Sequence, residues 1–236
     1  MDKLGGLSDF DVFAYLATGL AAMAAWDEVF GTTWVIGANW NVAQAVITIP
    51  IGYVLGHIIA GPAGYLIERK LVPRLFGEPK RILFGESHRG IHGWLQRNVL
   101  MEYYTPLDPG MRQRIITRAE HEHKPVKEAE SLYWTAYAVA KRDEQTYRRM
   151  EIFIRLYSFC RNIAFTAAMA MTGFLAAALW LWWRQGWSEM VGAKLWLALF
   201  AAMVALGMLI RYLKFFRLYT VEVFVAYSEP SAAGKP

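Results

Sequence analysis

Apolar positions along this chain come in blocks, not in alternation with polar ones. AYLATGLAAMAAW, TIPIGYVLGHIIAG, NIAFTAAMAMTGFLAAALWLWW and KLWLALFAAMVALGMLI run with scarcely a charge. Blocks approaching the ~20 residues that cross a ~30 Å hydrocarbon core read as transmembrane helices. Four spans are predicted, at about 10–30, 42–67, 162–183 and 191–210. Trp26, Trp34, Trp40, Trp180, Trp182, Trp183 and Trp187 fall at block ends, where amphipathic rings favour the membrane–water boundary. The first block has no basic segment before it and is preceded by Asp9 and Asp11, so it is not expected to be a cleaved signal.

The spans form two hairpins separated by a long polar insert. Within the insert, PLDPGM signals a helix start, with Asp108 as N-cap and Pro109 at the first helical position. Met111, Ile115 and Ala119 share a face of that helix, which should stop before Pro125. From Asp143 no breaker intervenes before the third block, so one long helix is expected to rise into the membrane. Glu144→Arg148 and Glu151→Arg155 support it at the favourable i,i+4 spacing. LFGEP and LFGES, eight residues apart, place Gly77 and Gly85 where they interrupt any long helix. Beyond the fourth block, TVEVFVAY fits a short strand or an interfacial helix.

Composition agrees with this pattern. The 236 residues are 56% hydrophobic and 15% aromatic, with mean hydropathy +0.22, too apolar for an ordinary soluble domain. Charge then supplies orientation. The insert, 69–161, holds 18 of the 25 Lys and Arg against 11 of the 20 acids. The loop between the first two blocks has Asp27 and Glu28 but no basic residue, and the other interblock loop has only Arg184 and Lys194. Basic segments stay on the cytoplasmic side, which places the insert and both termini there. Cys160 is the single cysteine, so no internal disulfide framework exists. The fold class predicted is all-α, a polytopic membrane protein with four transmembrane helices and a helical cytoplasmic insert. Its segments are an N-terminal hairpin (1–68), the basic insert (69–161), a C-terminal hairpin (162–211) and a cytoplasmic tail (212–236).

No P-loop, GxSxG, HExxH or dinucleotide fingerprint is present, so no catalytic residue and no cofactor is expected. His121 and His123, and His88 and His92, lack a third ligand or a Cys partner, so no metal is expected and solvated histidines are the default. Polar residues concentrate in the second span. Asn41, Gln44 and Thr48 form a one-sided i, i+3, i+7 set, Asn39 precedes them and His57 lies deeper. Intramembrane polar groups face a bundle interior or a water-filled path, so interhelical hydrogen bonding and pore lining both fit. Gly52, Gly56, Ala60 and Gly64 recur every fourth residue and read as a close-packing ladder. His57 borders that ladder, about 100° of helix rotation from Gly56.

The insert carries a second constellation. Lys141, Arg148 and Arg155 follow at seven-residue intervals, with Arg142 and Arg149 beside them. Arg112, Arg114 and Arg118 decorate the preceding helix, Lys124 and Lys127 its exit loop, and Tyr133 and Trp134 are interleaved. Arg with aromatic neighbours suits phosphates and stacked bases. A solvated, salt-bridged helix facing anionic lipid explains the same residues.

Two hairpins around a basic helical insert, bridged by GHIIAGPAGYLIERKLVPRLFG, resemble the small four-helix membrane effectors of bacterial anti-phage defence systems, the Hailong-type channel effectors among them. The resemblance implies a homo-oligomeric pore in the bacterial inner membrane. It also implies gating by a nucleotide or oligonucleotide from a partner nucleotidyltransferase. No binding residue transfers from the family. Two other readings stand beside it: a non-conducting membrane scaffold that docks a soluble cytoplasmic partner, and a lipid-modifying enzyme resting on the histidines. In each case membrane lipids are partners.

Overall fold

The computed structural model describes residues 9–37, 41–85, 100–122 and 129–228. Every regular element among them is helical. They are α1 (Asp9–Phe30), α2 (Val42–Ala63), a π-helical continuation (Gly64–Leu71), α3 (Val72–Leu75), α4 (Pro79–Leu83), α5 (Pro109–His121), α6 (Ala129–Ala140), α7 (Glu144–Gln185) and α8 (Glu189–Ser228). Three helical stretches, Val42–Leu83, Glu144–Gln185 and Glu189–Ser228, are long and apolar enough to cross a membrane. α1 falls outside this set. Asp11 near one end and Asp27 near the other leave 15 uncharged residues between them.

Two compact units emerge. One comprises the chain up to Arg69 with Ser158–Arg211, the other Lys70–Tyr157 with the chain from Tyr212 onward.

In the first unit α1 and α2 touch backbone to backbone. A Cβ on Gly19 would stand 1.7 Å from the Gly52 carbonyl oxygen, and one on Gly56 would stand 1.9 Å from the Tyr15 carbonyl oxygen. Only a hydrogen fits at either place. Ala14, Thr18 and Ala22, four residues apart, are buried and complete the α1 face. The Thr18 hydroxyl donates back to the Ala14 carbonyl at 2.8 Å. The anticipated four-residue ladder divides: Gly52 and Gly56 seat against α1, Ala60 is half-buried, and Gly64 faces the Arg161 guanidinium of α7. Phe174, Ala198 and Ala201 form a small core with Ala25 and Val29, joining α1, α7 and α8.

The π segment is bracketed by two prolines. Pro62 cannot donate to the Ile58 carbonyl, and Pro73 cannot donate to the Arg69 carbonyl. Between these two missing bonds the backbone widens over Gly64–Leu71, a conformation rare enough that it marks a constrained place.

The second unit is built on an aromatic and aliphatic core. Ile115, Ala119, Leu132, Ala136 and Met150 are buried with Val223, Phe224 and Tyr227. Asp108 caps α5 as the sequence indicates, its carboxylate accepting from Gly110 N at 2.9 Å and Met111 N at 3.2 Å. Gly77 and Gly85 adopt φ of +78° and +81°, ending α3 and α4. Of the two forms open to the segment after residue 211, the described residues take the helical one: α8 runs unbroken to Ser228. Tyr212, Phe216, Tyr219, Val223 and Tyr227 recur every three or four residues, and this helical stripe overrides the local alternation of TVEVFVAY.

Candidate functional site

Asn41, Gln44 and Thr48 do come together. With Trp34 and Ile47 as apolar walls they line a cleft of about 360 Å³. Two of the three already have structural duties. Asn41 is the N-cap of α2, its Oδ1 accepting from Gln44 N at 2.7 Å. Gln44 Nε2 donates to the Trp34 carbonyl and so fixes the loop against the helix. Thr48 is fully buried, and its hydroxyl has no hydrogen-bond partner among the described residues. The cleft therefore offers neutral dipoles, which can solvate a solute but cannot exchange protons at neutral pH. Asn39 lies outside the described residues.

His57 is not in this cleft. It lies nine residues past Thr48, about 2.5 helical turns on. Its ring stacks on Tyr15 at 3.8 Å between centroids and meets the edge of Tyr53 at 4.7 Å. Two tyrosine rings flank the imidazole, and the residue stays exposed. A path that used all four residues would need the cleft and this place to be joined.

The basic set of the insert divides into committed and uncommitted cations. Arg148 pairs with Glu144 and Arg155 with Glu151, both at 2.7 Å along α7. Arg149 reaches Glu222 of α8 at 2.9 Å. Arg118 donates to the Tyr227 carbonyl at 2.8 Å, lies over the Tyr227 ring and pairs with Glu122. These contacts fasten α8 to α5 and α7. Arg112 stands 5.8 Å from the Phe84 ring centroid. Arg114, Lys141 and Arg142 are exposed and have no acidic partner within ion-pair distance among the described residues. Lys124 and Lys127 lie outside the described residues, as do His88, His92 and His123.

The aromatic pair also divides. Tyr133 faces Phe224 at 5.9 Å and stacks on Tyr137 at 6.4 Å, and burial pushes its hydroxyl far above the ordinary value. It is a core residue. Trp134 is 56% exposed and remains available as a stacking surface. Among the described residues no group of three or more His, Cys, Asp or Glu side chains comes together to hold a metal.

One titration follows from the start of α7. Asp143 accepts hydrogen bonds from Thr146, side chain and backbone, and they hold its carboxyl below the usual 3.8. A depressed folded value means that the cap's contribution is complete above 3.8 and is lost as pH falls through the lower folded value. Asp143→Asn keeps a capping side chain and removes the titration. The melting temperature of this variant should decline less steeply than wild type below about pH 4. Equal slopes would assign the acid sensitivity elsewhere.

Several residues escape sequence reasoning. Glu68 pairs with Arg161 at 2.6 Å, and Lys194 donates to the Glu28 carboxylate at 3.1 Å and to the Glu28 carbonyl. The buried Asp27 carboxylate gathers the loop after α1, accepting from Thr32 Oγ1 and from the backbone of Val35 and Ile36. The sequence signal for these was an acid at a span boundary, which has to be satisfied by something. Compared with protein-family models, with curated proteins and with solved structures, the chain matches none.

Proposed function

We propose that this chain is a homo-oligomeric, channel-like membrane effector with four spans, α1, α2, α7 and α8. In this reading the basic unit and both termini lie on the cytoplasmic side of a bacterial inner membrane. An anionic ligand of the nucleotide class binds the exposed cations Arg114, Lys141 and Arg142 together with Arg112, with Trp134 as stacking surface.

The observation that carries the reading is the continuity of α7 and α8. α7 is 42 residues long and α8 is 40, and each runs without a break from the core of the basic unit into an apolar stretch. Each helix is about 60 Å long. In this reading, anion capture at one end is passed along the helix to the other. Assembly is supported by exposed apolar surface: only 11% of the most apolar window of α8 is buried within one copy. Lipid and neighbouring copies can cover the rest.

The purified protein in liposomes of phosphatidylethanolamine and phosphatidylglycerol, loaded with potassium, tests this directly. With tetra-adenylate as probe, flux should change at least about tenfold, and Arg114→Ala/Lys141→Ala/Arg142→Ala should abolish the response. No ion passage with or without the probe would sink the channel reading.

The committed state of Arg118, Arg148, Arg149 and Arg155 favours a second reading, a scaffold that docks a soluble partner and conducts nothing. Replacing Asn41, Gln44 and His57 by apolar residues separates the two. A scaffold keeps its function and a channel loses conduction.

A further inference from the structure

The chain leaves α2 through a π-helical segment, and an ion pair from α7 reaches into it. Gly64–Leu71 is π-helical, bracketed by Pro62 and Pro73. Glu68 sits inside it and accepts from Arg161 Nη1 of α7 at 2.6 Å. The remaining guanidinium donors of Arg161, Nε and Nη2, both point at the Oδ1 of buried Asn162 at 3.3 Å. Arg161 is therefore aimed before it meets its partner. Its side chain is 13% exposed and that of Glu68 31%, so the pair is largely shielded from screening by salt. Gly64, at the first π position, faces the same guanidinium, and a Cβ there would meet Nη1 at 3.4 Å.

The geometry points to a latch: the Arg161–Glu68 pair holds Gly64–Leu71 in the wide register, and its release lets the segment return to α-helix. A π turn accommodates one extra residue relative to an α turn. Relaxation turns the helical residues directly after it by about 100°, one residue of α-helix. Arg69, Lys70 and Arg74, now exposed, would swing to a different face. The latch thus sets the rotational phase with which the chain leaves α2. It stands apart from conduction and from ligand binding, because its readout is backbone register alone.

Amide hydrogen exchange of the full-length protein in lipid nanodiscs, followed over 64–75, tests it. Glu68→Gln and Arg161→Gln should each speed exchange there about tenfold, while amides of 193–207 in α8 stay as in wild type and report an intact fold. The charge swap Glu68→Arg/Arg161→Glu should return exchange to within about threefold of wild type. Unchanged exchange in the single variants overturns the latch. A swap no more protected than the singles, or one that fails to fold along with them, overturns it as well.

Discussion

Gly19→Ala is expected to destabilise the protein by about 3 kcal/mol or more, although alanine is the better helix former. Helix propensity favours the change by up to about 1 kcal/mol. Against it stands an added methyl group 1.7 Å from the Gly52 carbonyl oxygen and 2.9 Å from Gly56 N. Both neighbours are backbone, so no side chain can swing aside. The helices must separate by more than an ångström, and the close contact along Ala14, Thr18 and Ala22 loosens with them. Gly56→Ala meets the Tyr15 carbonyl at 1.9 Å and should behave alike. Gly61→Ala and Gly207→Ala are the internal controls, since nothing lies within 4 Å of either added carbon. They should be neutral or slightly stabilising. Thermal unfolding in detergent ranks all four. A Gly19→Ala protein that melts with wild type would refute the backbone contact.

Phe224→Ala should cost about 3–5 kcal/mol in the second unit, the usual penalty for emptying a fully buried phenylalanine site. Phe224 is 0% exposed and meets Phe84 at 5.0 Å and Tyr133 at 5.9 Å between ring centroids. Its removal opens a cavity lined by α4, α6 and α8, three segments far apart in sequence. Hydrogen exchange should therefore accelerate in Ala129–Ala140 as much as around residue 224 itself. Protection of α6 that survives the substitution would mean that the end of α8 is an appendage and not part of this core.

That packing also explains where sequence reasoning succeeded and where it failed. Signals confined to a few neighbouring residues were legible. Asp108–Pro109 starts α5, Gly77 and Gly85 end short helices, and the unbroken run after Asp143 becomes α7. Asn41, Gln44 and Thr48 share a cleft because i, i+3, i+7 spacing places them on one face. Partners distant in the chain were not legible. Glu222 for Arg149, Glu130 for Lys80 and Tyr227 for Arg118 lie dozens of residues away, and without them each cation looks available. Gly19 gave no warning because a single glycine among alanines has no periodic partner. TVEVFVAY by itself fits strand or helix, and the stripe from Tyr212 to Tyr227, visible only over a longer window, decides for helix.

The proposed function rests on the chain crossing the membrane four times, with its basic unit on the cytoplasmic side. Single cysteines on a Cys160→Ala background, labelled in intact bacterial cells with a membrane-impermeant maleimide, test it most directly. Val35→Cys and Gly186→Cys should label from outside, whereas Phe10→Cys and Arg142→Cys should label only after lysis. External labelling of Phe10→Cys would contradict four spans, and labelling of Arg142→Cys from the same side as Gly186→Cys would contradict the orientation.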